Sequence, residues 1–202
     1  MKKILLIIAG ALIALLSLPK DFKIEHSVVI AKPKSEVFAY LKLMQNYKNW
    51  SPMAKLDAEM KTELKGTDGE VGAILTWAGN KEVGSGEQEI VSITENERID
   101  FDLRVEQPNK ALSKAYLITE DAEEGKTKVT WGTAGSNPFP MNLVRKLTNG
   151  KLHAQFASGL ESLKAALESP AAEAQPATEE PAALEGAAQS AESAAEAESA
   201  AK

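Results

Sequence analysis

The chain has 202 residues, no cysteine and a formal charge of −6. Seven of the 29 acidic residues and one of the 23 basic ones lie between Ser169 and Lys202, so residues 1–168 are neutral overall. A neutral body gives no electrostatic case for nucleic acid, and the missing thiols exclude disulfides, thiolate metal sites and cysteine nucleophiles.

Met1-Lys2-Lys3 precedes an uncharged run, Ile4 to Leu18, and then Pro19. A basic start followed by an apolar run describes a secretory signal or a signal anchor over residues 1–21. As a helix the run spans about 22 Å against a hydrocarbon core of about 30 Å, which suits a cleaved signal. Ser17-Leu18-Pro19-Lys20 offers no small-residue cleavage site, however, and snorkelling lysines let residues 4–18 serve as a thin membrane anchor. Either way the domain is expected outside the cytoplasm, in the periplasm or cell envelope of a bacterium, anchored or secreted.

The body is expected over residues 22–168. Ile24–Ala31 alternates as a first strand, with Ile24, His26, Val28 and Ile30 on one face. Lys32-Pro33 breaks it, and a helix begins near Lys34 with Val37, Phe38, Leu41 and Met44 as its stripe. Asn46–Pro52 suits a short helix or tight loop. Leu56–Leu64 alternates as a half-buried strand, followed by a turn at Lys65–Gly69. Val71–Trp77 is the next strand, with Val71, Ala73, Leu75 and Trp77 on one face. Ser85–Thr94 and Glu97–Val105 read as a hairpin about Glu95-Asn96. Ala111–Thr119 and Lys126–Thr133 complete an antiparallel meander. Asn137–Pro140 is an irregular crossing, and a short helix is placed near Met141–Leu147. In Gly150–Glu168 the residues Leu152, Phe156, Leu160, Leu163 and Leu167 form one helical stripe, with Ala157, Ser158 and Gly159 small enough to admit a close neighbour. Residues 169–202, rich in Ala and Glu, cannot bury enough surface to order themselves and are read as a disordered acidic tail.

Val28–Pro33 followed by Val37-Phe38, Tyr47–Pro52, Gly69–Ala73 before Trp77, Val83–Gly86, Thr127–Trp131 and Gly159–Lys164 occur in that order. Together these stretches resemble the START-like superfamily (SRPBCC, the polyketide cyclase/dehydrase and lipid-transport, Bet v 1-like group). The resemblance covers roughly residues 22–168. It implies an α+β helix-grip fold, a curved antiparallel sheet of about six to seven strands wrapped around the long carboxyl-terminal helix. It also implies an apolar cavity between sheet and helix that holds a lipid or other apolar small molecule. Inward-facing Met60, Trp77, Phe101, Trp131, Phe156 and Leu160, with Trp50 at the mouth, are its candidate lining.

No catalytic constellation stands out. His26 and His153 are far apart in sequence, no His-Glu-x-x-His occurs, and no metal or cofactor is called for. Gly84-Ser85-Gly86 is a turn opening a strand. Asp100, Asp102 and Arg104 share a solvated face. The expectation is therefore a binding module for an apolar small molecule or lipid. A structural or interaction protein with a filled core, and a cyclase- or hydratase-type enzyme, stay open beside it.

Overall fold

The computed structural model describes residues 19–136 and 139–169. The apolar amino-terminal run, Asn137-Pro138 and the acidic tail beyond Ser169 lie outside the described residues.

Strand β1 (Asp21–Ile30) leads into helix α1 (Lys34–Lys42), a 3-10 turn (Met44–Asn46) and two short helices, α2 (Tyr47–Trp50) and α3 (Pro52–Leu56). Six strands follow: β2 (Lys61–Lys65), β3 (Ile74–Ala78), β4 (Ser85–Thr94), β5 (Arg98–Gln107), β6 (Ala111–Asp121) and β7 (Thr127–Ser136). Helix α4 (Met141–Glu168) closes the domain. The strands form one seven-stranded sheet in the order β1-β7-β6-β5-β4-β3-β2. Every neighbouring pair is antiparallel, including first strand with last, Asp21 opposite Ser136. Irregularities at Ser85/Gly86 and Ile90/Ser92 bend β4, and such bulges raise local curvature.

The alternation of β1 holds, with Ile24, Val28 and Ile30 buried. So do the stripes of α1 and α4: Val37, Phe38 and Leu41 on one, Phe156, Leu160, Leu163 and Leu167 on the other, all in a single core. Three expectations need correction. Leu56–Leu64 is not one strand. Ser51 caps a helical turn by accepting from the Met53 N–H, Pro52 occupies its first position, and the Asp57 carboxylate then accepts from Glu59 and Asn80 N–H groups. Only Lys61–Lys65 is left to join the sheet. Val71 does not share the inward face of Trp77: it is 61% exposed, ahead of Gly72 at φ 91° and a strand that starts at Ile74. And α4 is a single helix, running through the exposed Gly150 into the segment read as a separate short one.

Helix α4 is tied to β1 at mid-strand and again just past its end. His26 Nε2 and His153 Nδ1 hydrogen-bond at 2.8 Å, their rings edge to face. One nitrogen must donate and the other accept. Further along, the Ala31 N–H donates to Glu168 Oε1 at 2.7 Å.

The outer face carries a polar cluster built around one aromatic ring, Tyr116. Glu25, Gly132, Tyr116 and Asp100 form one cross-strand row over β1, β7, β6 and β5. Tyr116 lies across Gly132 and donates its hydroxyl proton to Glu25 two strands away, at 2.6 Å. The Arg98 guanidinium, held by Asp100, covers the ring at 4.6 Å. This explains how Tyr116, on the opposite parity to Ala115 and Leu117, is nonetheless buried. A Cβ at Gly132 would stand 2.3 Å from the Tyr116 ring. We expect Gly132→Ala to destabilise the domain by about 1–3 kcal/mol through overpacking, read as a lower urea midpoint at unchanged slope.

Candidate functional site

The concave face is filled unevenly. The cross-strand row Ile24, Thr133, Ala115, Phe101 and Ile90 and the next row, His26, Trp131, Leu117, Ile99 and Ile93, carry much of the packed core, with Thr133, Ala115 and Trp131 also bordering a gap. One step further along the strands come Ser113, Leu103, Gln88 and Leu75, register partners over β6 to β3, and then Trp77 with Thr62. Here helix and sheet do not meet. A cavity of about 320 Å³ lies over these rows, roofed by α2, α3 and the Leu152–Phe156 stretch of α4. Its wall is mainly apolar, and the volume falls in the range of small-molecule sites. Exposed Lys48, Met53, Leu56 and Glu82 mark the side on which it meets solvent. A second hollow, at the β6–β7 turn, is larger at about 400 Å³ but shallow, and it is bordered by charged groups such as Lys34, Asp121 and Lys126.

Of the residues singled out from sequence, Met60, Trp77, Trp131 and Phe156 line the cavity. Trp50, Phe101 and Leu160 do not: each is 1% exposed within the packed core, one layer away. The cause is positional. Parity selects the face a side chain takes, whereas the gap occupies only one end of that face. Trp50 belongs to the core because it packs edge-on to Trp131, centroids 5.1 Å apart, beneath the roof. Trp131 in turn stacks on Phe156 at 4.1 Å and meets Tyr47 at 6.2 Å. Gly159 makes this possible, since a Cβ there would stand 2.8 Å from the Trp131 ring.

Tyr47, Leu75, Gln88 and Leu103 were not singled out from sequence, yet all line the cavity. Gln88 had a signal: it is a polar residue on the inward parity of β4, two before buried Ile90. Burial pushes the Tyr47 phenol well above its ordinary pKa, with the Gln88 amide working weakly the other way. Tyr47 is thus an uncharged hydroxyl across the physiological range. The wall hydroxyls of Ser51 and Thr133 are engaged, the first with the Met53 N–H and the second with the Lys114 carbonyl. Neither histidine lines the cavity, and Arg104 faces outward between Glu87 and Glu89. Among the described residues no three His, Asp or Glu side chains converge as a metal site would require, and no helix is long and apolar enough to cross a membrane.

A family described as polyketide cyclase/dehydrase and lipid transport matches residues 21–168. No curated protein matches the sequence. Among solved structures, the chain is similar to truncated norcoclaurine synthase from Thalictrum flavum, 14% identical, with a TM-score of 0.58 over 74% of this chain and 95% of that one. A Thermobifida fusca protein solved by NMR is 20% identical, with a TM-score of 0.56 over 72% and 95% of the two chains. The Aha1 dimer from Colwellia psychrerythraea is 17% identical, with a TM-score of 0.52 over 73% and 96%. At these identities the likeness establishes the fold alone.

The raised Tyr47 pKa has a sign that can be checked. Its stability contribution is complete below the unfolded phenol value of about 10 and is lost as pH rises beyond it, because the unfolded chain ionises first. We expect wild-type stability to fall between pH 9 and 11 (~) more steeply than that of Tyr47→Phe, in urea titrations at each pH. Tyr116, whose phenol is raised by burial and by Glu25, keeps some slope in the variant.

Proposed function

The chain belongs to the polyketide cyclase/dehydrase and lipid-transport family over residues 21–168, and from that premise we propose that its domain binds an apolar small molecule or lipid between the sheet and α4. The observation that carries this reading is the cavity of about 320 Å³, walled by Leu75, Trp77, Leu103, Trp131 and Phe156 and reached past an exposed rim. Apolar surface of this kind gains by exchanging water for an apolar guest, at about 25 cal/mol per Å² removed from water. A scaffold with a filled core has no use for such a gap. Exposed Met53 and Leu56 at the rim continue the apolar wall outward and offer an entering ligand a first contact. The uncharged run at residues 4–18 is the sequence ground for a further part of the proposal, that the domain works beside a membrane on its outer side.

The test is native mass spectrometry of the full chain before and after solvent extraction, joined to titration with the uncharged fluorophore N-phenyl-1-naphthylamine. We expect an extractable apolar mass and saturable binding near one molecule per chain. Leu75→Trp puts bulk into the gap from a half-buried position, and we expect it to weaken the fluorophore at least tenfold (~) while circular dichroism stays unchanged. A clean mass with no uptake would remove the reading.

A further inference from the structure

Two buried hydrogen-bond donors on the cavity wall have no well-formed partner among the described residues. Trp77 and Gln88 are each 7% exposed and both line the gap; among the described residues Trp77 Nε1 has no acceptor, and Gln88 Nε2, though its amide bears on the Tyr47 hydroxyl, makes no hydrogen bond of good geometry. They belong together. Leu75 opposes Gln88 and Trp77 opposes Gly86, so Trp77 and Gln88 are diagonal neighbours on the inward face of β3 and β4. Gly86 fixes the indole, whose six-membered ring lies over it; a Cβ there would stand 2.6 Å from that ring and 2.4 Å from the Arg104 carbonyl oxygen. Indole nitrogen only donates, and a buried donor left unpaired is costly to the protein that holds it. Two other polar groups of the wall differ in this respect: the Ser51 and Thr133 hydroxyls are engaged.

We propose that the ligand is uncharged and carries a hydrogen-bond-accepting carbonyl oxygen, which Trp77 Nε1–H and Gln88 Nε2–H bind while the apolar body lies against Leu75, Leu103 and Trp131. This deepens the binding reading above and rests on it. The absence of charge follows from the wall. Trp77, Gln88 and Tyr47 offer neutral dipoles, and the charged lining groups Lys48 and Glu82, one of each sign, are exposed at the rim. A carboxylate drawn into the gap would lose its hydration with no cation to meet it. A neutral carbonyl loses little and relieves both donors.

The experiment compares three probes on the full chain: 2-acetylnaphthalene, its near-isosteric hydrocarbon 2-isopropylnaphthalene, and 2-naphthoate. Affinities come from displacement of N-phenyl-1-naphthylamine. The ketone is expected to bind about tenfold more tightly than the hydrocarbon, and naphthoate more weakly than the ketone. Trp77→Phe and Gln88→Met should each reduce the ketone preference, and the double variant should abolish it, with hydrocarbon affinity retained as the sign of an intact cavity. The carbonyl stretch of bound ketone should lie at lower frequency in the wild type than in Gln88→Met, a shift that loss of packing alone does not produce. Equal binding of ketone and hydrocarbon by the wild type, or a preference that survives in both single variants, overturns the proposal and leaves the cavity reading standing. Failure of every probe to bind removes both.

Discussion

Trp131 is the point at which the separate parts of this domain are joined. It projects from β7 toward the concave side, stacks on Phe156 of α4, and meets Trp50 and Tyr47 of the short helix α2 edge-on. Aromatic pairs of this kind contribute about 0.5–1.5 kcal/mol each beyond the area they bury. Their geometric effect is larger than that figure suggests. The stack sets how near α4 can come to the sheet, and Gly159 leaves room both for this ring and for the buried Pro52. On one side of Trp131 the helix and strands interdigitate into a dry core. On the other they diverge, and the ring itself becomes a wall of the cavity. Core and cavity are two sides of one side chain.

The two faces of the sheet solve different problems with the same device. Outside, Tyr116 lies over Gly132 to reach Glu25, and Lys23 first, then Tyr116, hold the Glu25 carboxyl below its ordinary pKa. Inside, Trp77 lies over Gly86. In both places an aromatic ring lies flat because the residue opposite has no Cβ. The outcomes differ in their polar bookkeeping. The Tyr116 hydroxyl ends on a carboxylate, whereas the Trp77 nitrogen meets no acceptor among the described residues. A fold that satisfies Ser27 with Thr130, Thr127 with the Lys32 carbonyl and Thr119 with the Asn96 carbonyl leaves the Trp77 indole N–H open beside the gap among the described residues.

Much of this architecture was legible in the residues. Alternation in β1, β4, β5, β6 and β7 and the stripes of α1 and α4 follow directly from burial on one face, and they hold to within a few residues. Alternation misled where a polar cap outweighed it: the Ser51-Pro52 helix start and the Asp57 turn claimed residues whose side chains alternate well enough for a strand. The cavity was legible only by face. Period-two reasoning puts Phe101 and Trp77 in the same class, since both point inward. Which of them borders empty space depends on where α4 rises from the sheet, a property of residues distant in the chain. The His26–His153 contact was hidden for the same reason. Its partners lie on the first strand and the last helix, and no local pattern links them.

The place of β1 in the sheet has a bearing on time rather than on shape. Strands β2 to β7 are each paired to the next along the chain, so they can be assembled as a succession of neighbours. Strand β1 has no such neighbour. Its ladder partner is β7, and its helix partner is α4, the last of the described elements. Contacts of that sequence separation slow folding, because the intervening loop must be closed before they form. A ribosome therefore delivers the first strand of this domain long before anything exists for it to join. Completion of the sheet and closure of the site over it are one late event, reached only when α4 has been made.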